Sequence, residues 1–148
     1  MDFKDEEIID FIKSDVPSYQ RHLLLKTIEG EAKNMDYYDN IGKELTGEGA
    51  TDKMLLTTGP AINKTSFLDK VKGEVFLFIC TENKKYKNER NLIDKNFKEL
   101  ATIMATAIAS TFSVGTGVII GIVTNILISI VKINKNAWCE LQNKKNAP

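Results

Sequence analysis

With 148 residues, 43% of them hydrophobic and 27% charged, the chain is large enough to bury a core and has neither a disordered nor a fibrous composition. Its 20 basic and 20 acidic residues cancel, so no overall field draws it to nucleic acid. The charges are nonetheless ordered. Residues 1–52 hold 13 acidic and 6 basic side chains, residues 53–99 hold 6 and 10, and residues 132–148 hold 1 and 4.

The opening MDFKDEEIID is acidic, without the basic and apolar regions of a secretory signal. In KDEEIIDFIKS, Ile8, Ile9, Phe11 and Ile12 share one side of a short helix whose first turn is acidic. Asp15-Val16-Pro17 ends it, and the spacing of Tyr19, Leu23, Leu24 and Ile28 predicts a second helix from Pro17 to about Lys33. NMDYYDNIGKEL reads as weakly helical and stops at the loop TGEGATD. DKMLL and the break TTGPAINKTS follow. Ser66 suits an N-cap, with Asp69 at the capping-box position, for a helix carrying Phe67, Val71, Val75, Phe78 and Ile79. The same run also admits a strand, EVFLFIC. Leu92, Ile93, Phe97, Leu100 and Met104 then mark an amphipathic helix.

From Leu100 to Val131 the chain carries no charge over 32 residues. One helix of that length would measure about 48 Å, against a bilayer hydrocarbon core of about 30 Å. Two geometries follow: a span over 114–133, or a turn at SVGTG that makes a helical hairpin. Ala101, Ala105, Ala109, Ser113, Gly117, Gly121, Asn125 and Ser129 fall at every fourth position. On a helix this row allows close approach of a neighbouring backbone, in lipid as in a packed core. Nine of the fourteen residues 118–131 are Ile or Val, a composition common in membrane spans. Lysines flank the block on both sides, and Trp138 is placed to anchor at an interface or to cap the last helix.

Nothing along the chain spells out catalysis. GPAINKTS is one residue short of a phosphate-binding loop and has Asn63 where the second glycine belongs. His22 is the only histidine, so no metal cluster based on imidazoles can be built, and neither cysteine sits in a nucleophile motif. Glu6, Glu7 and Asp10 read as a solvated helix face. KKYKNER is too narrow a basic segment for nucleic acid. Asp36-Tyr37-Tyr38-Asp39 offers a partner-binding patch through Tyr37 and Tyr38. Two cysteines are too few for a disulfide scaffold, and the expectation is reduced thiols in an intracellular protein.

These readings converge on an all-α fold, a small helical bundle with a long apolar, Ala/Gly-striped C-terminal helix or hairpin. It divides into a polar portion 1–91, an amphipathic-to-apolar segment 92–141 and a polar tail 142–148. The expected function is non-enzymatic: a membrane-inserting, self-associating anchor or membrane-perturbing effector without cofactor or metal. Its partners would be a second copy through the small-residue row, a partner protein or membrane lipid. The alternative is a cytoplasmic, soluble adaptor, immunity or assembly subunit with residues 100–133 as its buried central hairpin.

Overall fold

A computed structural model describes residues 1–47, 66–91 and 96–146, and all regular elements among them are helical. The fold is all-α, a small helical bundle. Helices α1 (Asp5–Asp15), α2 (Ser18–Ile28) and α3 (Met35–Thr46) form the N-terminal part. Helix α4 (Phe67–Cys80) follows, then a 3₁₀ turn (Lys84–Tyr86) running into the one-turn α5 (Lys87–Arg90). Helices α6 (Phe97–Phe112), α7 (Thr116–Ile133) and α8 (Lys135–Asn146) complete it. EVFLFIC is therefore helical, inside α4. The predicted loop after Gly47, the GPAINKT segment and Leu92, Ile93, Asp94 and Lys95 lie outside the described residues.

Local chemistry accounts for most boundaries. Ser66 accepts the Asp69 amide at 3.1 Å at the start of α4, and Asn34 and Asn96 cap α3 and α6 in the same way at 3.0 and 2.8 Å. Helix α2 ends at Ile28, short of the expected Lys33, because Gly30 takes a left-handed φ of 74° and turns the chain. Arg90 satisfies the orphan carbonyls beyond the middle of α4, donating to Leu77, Phe78 and Asn83 oxygens at 3.0 Å each.

Helix α7 is the axis of the bundle. Helices α2, α3, α4, α6 and α8 all pack on it, and every residue from Ile119 to Ile130 is buried. A helix apolar on all sides must be enclosed in this way in water. The amphipathic helices do so with Ile8, Phe11 and Ile12 from α1, Leu24 and Ile28 from α2, Val71, Val75 and Phe78 from α4, and Leu100, Met104 and Ile108 from α6. Phe97 nests among Phe3 and Phe11, each ring centroid 5.5 Å away. Between α3 and α4, the ammonium of Lys72, only 1% exposed, meets Asp39 at 2.7 Å.

One expectation is overturned. Cys80 and Cys139, 59 positions apart, are joined in a disulfide with Cα atoms 5.7 Å apart, the separation a bridge needs. They are not reduced thiols, and the ground for an intracellular setting goes with them. The cause is tertiary: α8 lies alongside α4, so the last residue of α4 faces the first turns of α8.

Candidate functional site

The uncharged block turns at SVGTG into two helices. Helix α6 ends with Ser113 in the left-handed region, φ 55°. The Ser113 amide donates to Ser110 O at 3.2 Å and the Val114 amide to Ala109 O at 3.0 Å, a Schellman arrangement that satisfies the last carbonyls of α6. Gly115 then leads into α7. Helices α6 and α7 lie against each other as an antiparallel hairpin, the most extensive helix pair of the bundle.

Charge is confined to one end of this hairpin. Lys98 and Glu99 lie in the first turn of α6 and Lys132 in the last turn of α7. Lys132 is held by both Asp5 oxygens, at 3.2 and 3.3 Å. At the far end, residues 110–118 are exposed except for half-buried Phe112 and Val114, and none is charged. Val118, 52% exposed, and Tyr19, 76% exposed, are two of the three large apolar side chains that face solvent among the described residues. Val118 stands at this tip, and Tyr19 precedes Gln20, whose amide packs against Gly121 one turn inside Val118. Phe112 is backed by Phe67, ring centroids 5.3 Å apart.

Four hydroxyls of the hairpin are satisfied within their own helices. Thr106, Thr111 and Thr124 donate to Thr102, Ala107 and Ile120 oxygens, four residues back, at 2.8, 3.2 and 2.6 Å. Ser129 donates to Ile126 O at 2.6 Å. Asn125 differs: its Nδ2 donates across to Tyr38 O of α3 at 3.0 Å. The two helices meet closely here because Gly42 carries no side chain, and a Cβ on it would stand 2.8 Å from Leu68 and 3.2 Å from Asn125.

The small-residue row is thus split by the turn. Ala101, Ala105 and Ala109 are buried in the core from α6. Ser113 is the turn residue, and Gly117 is exposed with nothing within 4 Å of where a Cβ would be. Gly121 is occupied by a neighbouring helix: the amide end of Gln20 fills the place of its missing Cβ. Trp138, proposed as an interface anchor, is instead fully buried. Tyr38 also points inward and accepts the Lys33 amide at 3.2 Å, while half-buried Tyr37 donates to Lys26 O at 3.4 Å. The pair closes the α2–α3 corner and does not form an open patch. His22 is exposed, and no grouping of three or more metal-ligating side chains occurs among the described residues.

No known protein family matches the chain, and no curated protein or solved structure is similar to it. What the site can do therefore follows from its chemistry alone. A second polar cluster lies beside the tip, where the Tyr86 hydroxyl donates to Glu74 and lies 3.4 Å from Thr111 Oγ1, with Lys85 2.7 Å from the same Glu74. Burial, and then the bond to Glu74, hold the phenol protonated well above its usual 10. With Arg90 it fastens the α4–α5 corner.

Helix α7 is long and apolar enough to cross a bilayer, but 67% of it is buried inside the bundle. The turn at SVGTG was one of the two geometries open from sequence, beside a span over 114–133, and it is the one the fold adopts. Sequence reasoning missed Gln20, Val118 and the cysteine pair, which are brought to their places by packing between distant segments.

The two glycines separate a contact from a gap. Gly121→Ile drives Gln20 out of its place and is expected to lower stability by about 1–3 kcal/mol, a fall of roughly 2–4 °C in Tm per kcal/mol. Gly117→Ile meets open space and is expected to leave Tm within about 2 °C, a change of under ~0.5 kcal/mol. Adding Gln20→Ala to Gly121→Ile is expected to recover most of the loss in thermal melts. Equal melts for the two isoleucine variants would contradict the packing of Gln20 on Gly121.

Proposed function

We propose that the protein is a non-enzymatic, membrane-inserting helical protein, and that the bundle is its water-soluble form, with α6 and α7 as the hairpin that enters lipid. The observation that carries this reading is the one-ended charge of the hairpin and its uncharged, exposed tip. Helices of 16 and 18 residues measure about 24 and 27 Å, close to the ~30 Å of a hydrocarbon core. A hairpin entering tip first would carry no charge across, and its charged residues would stop at the near surface beside anionic headgroups. The hydroxyls of Thr106, Thr111, Thr124 and Ser129 bring their hydrogen-bond partners with them, which removes a cost of several kcal/mol per unsatisfied group, while Asn125 gives up the Tyr38 oxygen. Once inserted, the alanine row of α6 would be free to contact a second copy. The disulfide suits a soluble form that resides in an oxidising compartment.

A second reading, a soluble adaptor with the hairpin as a permanent core, draws support from the burial of most of α7. Vesicles separate the two. The protein is mixed with calcein-loaded phosphatidylcholine–phosphatidylglycerol vesicles, with and without dithiothreitol, and flotation and dye release are measured. Insertion predicts co-flotation resistant to carbonate and release of dye. Val118→Lys, at an exposed site that costs the bundle nothing, is expected to reduce release about 100-fold, since a lysine at the leading tip must pass the mid-bilayer, at a cost of about 3 kcal/mol. Protein that stays unbound under both conditions would establish the adaptor.

A further inference from the structure

We infer that the Cys80–Cys139 disulfide is a redox latch that holds α8 over α7, and that a dithiol reductant releases α8 and frees the hairpin. The release step rests on the membrane-inserting reading; the latch itself does not.

Helix α8 is fastened in an unusual way. It packs on α4 and α7, yet among the described residues no hydrogen bond or ion pair joins one of its side chains to another helix. Its one ion pair among the described residues, Lys144 to Glu140 at 3.9 Å, is internal and exposed. Its two buried polar side chains are poorly served: Trp138 Nε1 and Gln142 Oε1 are enclosed without a hydrogen-bond partner, each a cost of about 1–3 kcal/mol against docking. The entry to α8 is strained as well. Asn134 has φ 111° and ψ 151°, a region open essentially to glycine, at a cost of about 1–3 kcal/mol. Apolar burial, chiefly of Trp138, and the covalent bridge oppose these terms.

The bridge can be reached. Cys80 and Cys139 are both partly exposed, so a reductant can approach without prior unfolding. A dithiol supplies the two electrons. Its first thiolate attacks one sulfur, and the other leaves as a thiolate that takes up a proton. Its second thiolate then displaces the mixed disulfide, so that the reductant ends as a disulfide and both cysteines as thiols. With the tether gone, Asn134 relaxes, Trp138 Nε1 and Gln142 Oε1 regain water, and α8 opens as a local unit. Opening strips cover from the C-terminal half of α7, the part of the hairpin next to its charged end. Residues 116–118, at the tip, are exposed already.

The test uses the full chain, oxidised, and the same chain in dithiothreitol, with the Cys80→Ser/Cys139→Ser variant in both conditions. Three measurements are made: tryptic cleavage after Lys132, Lys135 and Lys144, far-ultraviolet circular dichroism, and calcein release from phosphatidylcholine–phosphatidylglycerol vesicles. The latch predicts at least tenfold faster cleavage on reduction with most helicity kept. It also predicts a variant that behaves as reduced whether or not dithiothreitol is present, and dye release confined to the reduced and variant proteins. Unchanged cleavage on reduction overturns the latch. Loss of the whole helical signal overturns it too, since the bridge would then be a staple for the entire fold. Faster cleavage at kept helicity without dye release supports the latch and overturns the membrane-inserting reading instead.

Discussion

Replacing both cysteines, Cys80→Ser with Cys139→Ser, is expected to lower the free energy of unfolding by about 4 kcal/mol. The bridge joins positions 59 residues apart, and closing a loop of that length removes chain entropy from the unfolded state worth about 4 kcal/mol at room temperature. For a chain of this size the loss corresponds to a fall in Tm of roughly 8–16 °C. Against a total stability of about 5–15 kcal/mol for native domains, the variant stays folded at room temperature but with a much reduced margin. Urea unfolding of the oxidised protein, the reduced protein and the variant measures it. Reduced and variant proteins should unfold at the same midpoint, below the oxidised one. The unfolding slope should increase when the bridge is cut, because an untethered unfolded chain exposes more surface. Midpoints that coincide in all three would mean that the bridge constrains nothing the rest of the fold does not already hold.

The parts of the fold open to sequence reasoning were those in which local chemistry and tertiary packing agree. Ile8, Phe11 and Ile12 recur at helical spacing and are all buried in α1. Ser66 looked like an N-cap and is one. SVGTG admitted either a turn or a continuous span and is a turn, with Ser113 taking the left-handed position that a glycine more often fills. What sequence periodicity could not supply was the pairing of distant surfaces. Gly121 belongs to a regular row of small residues, yet its partner is Gln20, a polar residue on a helix of weak amphipathicity. Nor does the spacing of Cys80 and Cys139 announce a bond, because that depends on α8 folding back along α4. Tyr38 resembles a surface tyrosine in an acidic segment, but the turn after α2 swings it inward. The candidate site has the same division. The absence of charge from Leu100 to Val131 is visible in the letters alone, whereas the tip, the cover and the latch exist only once the chain has turned back on itself.

Trp138 is where these threads meet, and Trp138→Ala is expected to cost about 3–5 kcal/mol in the oxidised protein. Its ring is fully buried, and removing a large aromatic from a packed site forfeits both its transfer free energy and the contacts around the cavity. Trp138→Phe should cost less, near 1 kcal/mol, because it keeps most of the apolar surface and deletes an N–H that has no partner among the described residues. The more informative quantity is the coupling to the bridge. If Trp138 and the disulfide act on one docking equilibrium, that of α8 on α7, then once the bridge is cut α8 is already open part of the time. Losing the tryptophan then costs correspondingly less. A cycle of Trp138→Ala against Cys80→Ser/Cys139→Ser should therefore show a combined loss smaller than the sum of the separate ones by at least about 1 kcal/mol, beyond the few tenths expected for independent sites. Additive losses would mean that Trp138 stabilises the bundle through contacts that persist when α8 is untethered. The helix would then be a permanent part of the core and not its cover.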